Sequence, residues 1–429
     1  MKYRAFAIAG TAALTLMLGA CGSTPSDDDS STSTPPSDTA SPASSSSAPA
    51  VPDRADADLV IWADANRTAA LEQPLADWAE ANGITAVVQT VAVDLQANFT
   101  TANQANNGPD VVIGAQDWTG KLVQNNSIVP VQITATGVVQ SAIDAVSFNG
   151  QTYGAPYALE TLGLFANNTL TNDPAPATVE AMVAAAAAGG SAGVAENPLC
   201  LQVGTTGDAY HMQPFFTSAG GYIFGKNADG SWNTADVGVG TAGGIAAGEK
   251  IGALGASGVL KTSITADNST QLFGEGKCAY LVSGPWALSS TREANIDFTL
   301  SAVPGFEGMS PARPPLGIQA FFVASNAKNP AYAQQFLTDV LKDTTITAAM
   351  NTVDPRIPVQ TALADQLKTD DPVLMQFLDL ADAAEAMPNI PAMDAVWGPL
   401  GQAQANVVSG DDPTSTMTAA GTEIAAAVA

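Results

Sequence analysis

The stretch PDVVIGAQDW (residues 109–118) is a short apolar run, Val111 to Ile113, that ends in small residues and then in Gln116, Asp117 and Trp118. It reads as a buried strand running into a loop. Upstream, DLVIWAD (58–64) and ITAVVQTVAV (84–93) read as two further strands. Between them, LEQPLADWAEANG (71–83) carries Leu71, Leu75 and Trp78 at helical spacing, with Gly83 as a stop. LQANFTTANQANNG (95–108) also reads as helix. Strand–helix–strand–helix–strand predicts an open, largely parallel α/β sheet. Ligands of such sheets sit outside the carboxyl ends of the strands. Here those ends are Asp64 to Arg67 and Gln116 to Trp118.

Downstream, YGAPYALETLGLFANN (153–168) reads as extended chain with an isolated Glu160 in apolar company. A second α/β section follows. LCLQV (199–203) and CAYLVS (278–283) are strands, with helices around YHMQPFFTSAGG (210–221) and STQLFGEG (269–276). GPWALSSTRE (284–293) opens another helix at Pro285, PPLGIQAFFVAS (314–325) is a strand, and NPAYAQQFLTDVL (329–341) is a helix. Residues 360–368, 372–385, 393–408 and 412–428 read as helical, and no internal repeat is found. Two α/β units with a helical tail predict two lobes joined by more than one crossing. The roughly 370 residues after Leu59 suit two cores better than one.

The N-terminus, MKYRAFAIAGTAALTLMLGACGS (1–23), sets Lys2 and Arg4 before an apolar run too short for a comfortable membrane span. Leu18-Gly19-Ala20-Cys21 resembles a bacterial lipobox, which makes residues 1–21 a lipoprotein signal ending in lipidated Cys21. An ordinary cleaved signal is the alternative. Residues 22–58 are nearly all Ser, Thr, Pro, Asp and Ala, so a disordered tether is expected. The expected location is the extracytoplasmic face of the cell membrane, reached through the lipid anchor.

The net charge is −26, from 41 acidic against 15 basic residues, which excludes nucleic acid as a partner class. One histidine, His211, leaves a zinc or haem site almost without ligands, so no metal and no cofactor are expected. Outside the cytoplasm Cys200 and Cys278 permit one disulfide; two separate buried thiols are the other possibility.

A serine hydrolase needs a nucleophile elbow and a histidine; no elbow is read, and His211 stands alone. GVGTAGG (238–244) has dinucleotide-loop spacing in the wrong context and reads as part of a tightly packed Gly/Ala helix. Asp117 and Glu160 have the residue types of a glycosidase pair, yet sugar-binding clefts also hold carboxylates that only accept hydroxyl hydrogen bonds. Sugars present flat C–H faces rimmed by hydroxyls, which aromatic planes and charged hydrogen-bonding groups complement. Trp118, Trp286 and Trp397 stand where elements start or end. Trp62 and Trp78 read as core, and Trp232 as a turn residue.

GPDVVIGAQDW (108–118), YGAPYALETLGLFAN (153–167), GPWALSS (284–290) and MPNIPAMDAVW (387–397) resemble, in order, segments of the maltose/maltodextrin-binding proteins that serve ABC importers. The likeness implies a two-lobed periplasmic-binding-protein-like fold with hinge crossings and a ligand cleft between the lobes. It assigns 59–158 with 319–357 to the N-terminal lobe, and 164–314 with 363–429 to the C-terminal lobe. It makes Trp397 a residue that stacks on a glucose ring, Trp286 and Tyr210 further stacking residues, and Glu160 and Asp117 acceptors of sugar hydroxyls. Arg67 stands where the family has a lysine. Departures are Asn66 for an aspartate, Trp118 for an arginine, and Gly114 where the family often has an aromatic. Asp64 and Asp208 are candidates to compensate, or else solvated loop acids. The implied function is capture of maltose or maltodextrin-type oligosaccharides by a monomer, for delivery to ABC permease subunits, without catalysis. The alternatives are trehalose, a fructo- or galacto-oligosaccharide, a secreted glycoside hydrolase, or a cell-wall adhesion protein.

Overall fold

The computed structural model describes residues 51–429. The signal at 1–21, the lipidation of Cys21 and the tether as far as residue 50 lie outside the described residues.

The first sheet grows from the continuous apolar runs read above. Leu59–Ala63 is buried at every position and pairs in parallel with Ala86–Thr90 on one side and Val111–Ala115 on the other. Beyond Val111–Ala115 come Pro315–Val323, Gly154–Glu160 and Ile357–Pro358, while Glu385–Ala386 adds beside Pro315–Leu316. The expected parallel arrangement holds only for the first three strands. Pro315–Val323 is antiparallel to both neighbours, and Ile357–Pro358 is antiparallel to Gly154–Glu160. The reason lies in the chain path. Val111–Ala115 and Gly154–Glu160 run toward the cleft, whereas Pro315–Val323 enters from the second lobe and runs away from it.

The second sheet orders Phe298–Ser301, Gly163–Asn167, Cys278–Ser283 and Asn197–Cys200, with only the last pair parallel. Helices Ala209–Ser218, Trp397–Ser409 and Pro413–Val428 gather around helix Ala242–Ala256. Their buried faces form one core with Phe215, Phe216, Ile251, Leu400 and Met417. Cys200 and Cys278, both fully buried, are disulfide-bonded across the adjacent strands with Cα atoms 5.8 Å apart.

The chain passes between the sheets at Glu160–Gly163, at Ser301–Pro315, and after Pro358 through helices Thr361–Asp370 and Pro372–Ala381. A shared apolar cluster runs beneath these passages. It joins Trp62, Val112 and Ile318 of the first sheet to Phe165, Leu281 and Phe377 on the second-sheet side.

Several elements differ from expectation. Helix Ala65–Asn82 begins before Leu71, because the Asp64 side chain caps it by accepting the Arg67 N–H at 3.0 Å. Trp232 lies in strand Trp232–Val237 of a hairpin with Phe224–Lys226 rather than in a turn, and Lys226 Nζ stands 4.4 Å from its ring centroid. Helices Val179–Ala188 and Thr345–Val353 are additional. The tether also ends earlier than residue 58. Arg54 Nη2 meets the fully buried Asp110 Oδ2 at 2.6 Å, and Thr85 donates through its backbone N–H to Asp58 Oδ2 at 2.9 Å. Polar residues that look like linker are here the partners of buried or edge groups on the first sheet.

Two stability predictions follow from these contacts. A fragment beginning at Leu59 leaves Asp110 buried without Arg54, and is expected to lose about 3 kcal/mol against one beginning at Pro52. Equal urea midpoints would return residues 53–58 to the tether. Replacing both Cys200 and Cys278 by alanine removes a cross-link spanning 78 residues, at an expected cost of about 4 kcal/mol. Wild-type protein unfolded under reducing conditions should then match the double variant.

Candidate binding cleft

A cavity of about 380 Å³ opens at the carboxyl ends of strands Leu59–Ala63 and Val111–Ala115. From the first lobe, the capped first turn of helix Ala65–Asn82 supplies Asp64, Asn66 and Arg67, and the 3-10 turn Gln116–Trp118 supplies Asp117 and Trp118. Glu160 lines it from the first crossing, and Tyr210, Trp286 and Trp397 line it from the second lobe. All nine expected site residues therefore reach one cavity. Arg356, His211 and Met387 also line it and escaped the sequence reading. Arg356 sits in DPRIP (354–358), whose only signal was a lone cation before an edge strand.

The aromatic side chains converge. The Tyr210 ring centroid lies 6.4 Å from Trp286 and 6.4 Å from Trp397. Two glycines make room for rings. A Cβ at Gly114 would collide with Trp118, and one at Gly284 with Trp286. The missing side chain at position 114 is thus the space that Trp118 fills. Trp397 is the first residue of its helix, delivered by the stiff segment that begins at Met387. Asn389 Nδ2 fastens that segment to the first lobe by donating to the Ala145 carbonyl at 3.0 Å and the Ser147 carbonyl at 2.9 Å. Pro391 then starts the 3-10 turn Pro391–Ala395.

The polar groups are mostly engaged with one another. Trp397 Nε1 donates across the cleft to Asp117 Oδ2 at 2.9 Å. Burial pushes Asp117 up to about 6, although the Trp397 donor pulls the other way; Glu160 and Asp394 add to the rise. Its other oxygen, Oδ1, has no hydrogen-bond partner among the described residues. Glu160 Oε1 accepts from Gln319 Nε2 at 2.9 Å, and Oε2 takes the Arg356 guanidinium.

Asp64 and Asp208 are not free loop acids. Both are helix N-caps. Asp64 pairs with the Arg67 guanidinium, whose Nε donates to Tyr157 Oη at 3.2 Å. Asp208 accepts the His211 N–H at 2.9 Å, contacts His211 Nδ1 at 3.1 Å and takes Gln202 Nε2. Burial would raise the Asp208 carboxyl, but His211 and these hydrogen bonds outweigh it and hold it at about 2. Tyr210 Oη and His211 Nε2 are buried without partners among the described residues. Together with Asp117 Oδ1 they leave three polar atoms at the cleft that an incoming group rich in hydroxyls would satisfy.

Neither nucleotide nor nucleophile motif is built here. GVGTAGG does follow a strand, contrary to expectation, but a hairpin strand. Added Cβ atoms at Gly238, Gly243 and Gly244 would strike Tyr222, Gly220 and Val239, so these glycines serve close packing. The spacing of a nucleophile elbow also occurs, at GGSAG (189–193), which the sequence reading missed. It follows helix Val179–Ala188 instead of a strand, and Ser191 is exposed away from the cleft. Among the described residues no group of three His, Cys, Asp or Glu side chains is placed to hold a metal.

A two-lobed α/β fold with a polar and aromatic cleft between lobes defines a solute-binding protein. The chain belongs to the bacterial extracellular solute-binding protein family, whose pattern it matches over residues 74–376. It is 25% identical to the galactooligosaccharide-binding protein of Bacillus subtilis (strain 168) over 424 residues, covering 95% of this chain and 93% of the relative. It is 26% identical to the maltodextrin-binding protein MdxE of the same organism, covering 68% and 71%. It is 24% identical to a maltooligosaccharide ABC transporter solute-binding lipoprotein of Streptococcus pneumoniae (strain ATCC BAA-255 / R6), covering 73% and 75%. No described helix is long and apolar enough to cross a membrane.

The raised Asp117 carboxyl gives a signed prediction. Its folded pKa of about 6 exceeds the ordinary 3.8, so the native state holds this proton more tightly than the unfolded chain. Its contribution is fully present below pH 4 and lost as pH rises through 6, a change of up to about 3 kcal/mol. Asp117→Asn keeps an acceptor for Trp397 and removes the titration. The variant should therefore gain stability relative to wild type between pH 4 and pH 7, read from urea midpoints. A constant difference across that range would mean that Asp117 titrates normally.

Proposed function

We propose that this protein captures an oligosaccharide of the maltose/maltodextrin type between its lobes and hands it to the permease of an ABC importer. The observation that carries this reading is the meeting of Tyr210, Trp286, Trp397 and Trp118 around buried Asp117 and Glu160 and the half-buried Arg67 in one cleft. Rings remove the C–H faces of sugars from water, and the carboxylates and cation fix hydroxyls. Asn66 adds a neutral amide. The N-terminal lobe is 59–158 with 319–357 and the C-terminal lobe 164–314 with 363–429. Residues 1–21 act as a lipoprotein signal, Cys21 carries the lipid, and the monomer works at the extracytoplasmic face of the cell membrane. The protein is not an enzyme. A Glu160 carboxylate held on one oxygen by Gln319 and on the other by Arg356 makes a poor nucleophile or base.

Galactooligosaccharide is the second reading. It is favoured by the relative that matches nearly the full length of the chain, and by Asn66 and Trp118, which alter a charge and a plane of the site.

Isothermal titration of residues 52–429 with maltose, maltotriose, maltotetraose, trehalose and β-1,4-galactobiose tests both. Roughly micromolar binding of maltodextrins, worth about 8 kcal/mol, is the expected result. A response to the galactoside alone would transfer the assignment, and silence throughout would refute both. Trp397→Ala should weaken the bound sugar by at least thirtyfold, about 2 kcal/mol, with the folded circular dichroism spectrum retained.

A further inference from the structure

His211 is the single histidine of the chain, and it stands in the first turn of helix Ala209–Ser218, one residue after Tyr210. It is 6% exposed and lines the binding cavity. Its neighbours all come from the second lobe, so their geometry does not depend on where the first lobe stands. The Asp208 carboxylate accepts the His211 backbone N–H on Oδ1 at 2.9 Å. Its Oδ2 takes Gln202 Nε2 and stands 3.1 Å from His211 Nδ1. The imidazole is flanked by Trp286, with centroids 5.9 Å apart and planes at 78°, and by Tyr210, 5.4 Å away at 62°. Its other nitrogen, Nε2, is buried without a partner among the described residues.

We propose that His211 is a specificity-determining residue of the cleft: through Nε2 it accepts a hydrogen bond from one hydroxyl of the bound sugar. The inference deepens the oligosaccharide reading and rests on it.

Asp208 decides which nitrogen is free. An ionised carboxylate only accepts hydrogen bonds, so the ring nitrogen that faces it carries the proton. Burial alone would raise this carboxyl, but His211 and the hydrogen bonds from His211 and Gln202 hold it at about 2, and it stays ionised. In the neutral ring Nε2 is then a bare lone pair. A histidine kept only for the helix start would need Nδ1 alone, which already reaches back to the capping residue. That role leaves the second nitrogen, at the ligand cavity, without a use. A ligand that fills the cavity must bring a donor to this lone pair or bury it unpaired, and sites of this kind reject analogues that lack the donor. Sugar hydroxyls donate, whereas ring oxygens and methylated hydroxyls do not. Tyr210 Oη is the complement on the preceding residue, also buried and without a partner among the described residues. Burial and the nearby Glu160 raise the phenol well above its ordinary value, so it keeps its proton and offers a donor. Successive residues thus present one donor and one acceptor. Hydroxyls, which both give and take, satisfy the pair, and a carboxylate-bearing ligand leaves His211 unmet.

The lone histidine makes nitrogen NMR of residues 52–429 unambiguous. At pH 8 the sugar-free protein should show the Nδ1–H tautomer. Saturating maltotriose, or β-1,4-galactobiose if only that sugar binds, should move the Nε2 resonance upfield, toward that of a hydrogen-bonded nitrogen, and leave Nδ1 protonated. His211→Phe keeps an aromatic ring and removes the acceptor. It should stay folded and bind the sugar at least about fivefold more weakly, the lower end of the cost of leaving a buried polar group unpaired. Among monodeoxy analogues of that sugar, one should bind wild type more weakly yet suffer no further loss in His211→Phe, because the same hydrogen bond cannot be removed twice. A proton on Nε2 in the sugar-free protein, a bound sugar that leaves the Nε2 resonance unmoved, or equal penalties for every deoxy analogue in both proteins would each overturn the assignment. If calorimetry shows binding of neither sugar, the oligosaccharide reading itself fails and this inference falls with it.

Discussion

Strand Pro315–Val323 exchanges hydrogen bonds with Val111–Ala115 on one side and Gly154–Glu160 on the other, and much of the molecule follows from that insertion. The strand sits mid-sheet but belongs to chain made only after the second sheet is complete. The first lobe therefore cannot close its sheet until the second lobe has been threaded out and back. This path brings the end of one crossing and the start of another to the same place, pairing Gly317 with Glu160. A side chain at 317 would press on Glu160, so glycine there lets the carboxylate lie flat between the two crossings. The hinge is consequently a paired and packed structure, backed by the apolar cluster that Phe165 and Phe377 share with Trp62 and Val112.

The cleft above that hinge is costly for a protein to keep. Among the described residues, Asp117 is buried with one oxygen unpaired, Tyr210 Oη and His211 Nε2 lack partners, and only part of the burden is offset by local pairing. Structural polar networks are normally satisfied throughout. Arg67, Arg356 and Gln202 occupy other carboxylate oxygens of the same cleft. The helix N-caps Asp64 and Asp208 illustrate the division of labour. Each caps its own first turn, Asp208 also taking Gln202, and so fixes the backbone that presents Arg67 on one side of the cleft and Tyr210 and His211 on the other.

Much of this was legible in the residues. Continuous apolar runs such as Leu59–Ala63 fix strands whatever surrounds them, and the short segments around Trp118, Trp286 and Trp397 announced aromatic side chains at element ends. What the sequence hid was non-local. The antiparallel entry of Pro315–Val323 depends on where the chain has been, which no periodicity records. Arg356 is one cation among few, distinguished only by the neighbouring Asp354 and by Glu160, which lies 196 residues away in the chain. Arg54 looked like linker because its partner Asp110 lies 56 residues away. Helix Val179–Ala188, in which six of ten residues are alanine and only Glu180 is polar, is apolar nearly all round and so shows no distinct stripe, and its start is set by the Thr178 cap.

The overlap of Trp118 with the empty position at Gly114 has an evolutionary consequence. Any larger residue at 114 would expel the ring, and any small residue at 118 would leave a hole above the strand. Neither position is free to drift alone. Within the lineage of this protein the pair should change as a unit, so that a shift in ligand preference at this wall of the cleft requires two substitutions, the first of them deleterious by itself.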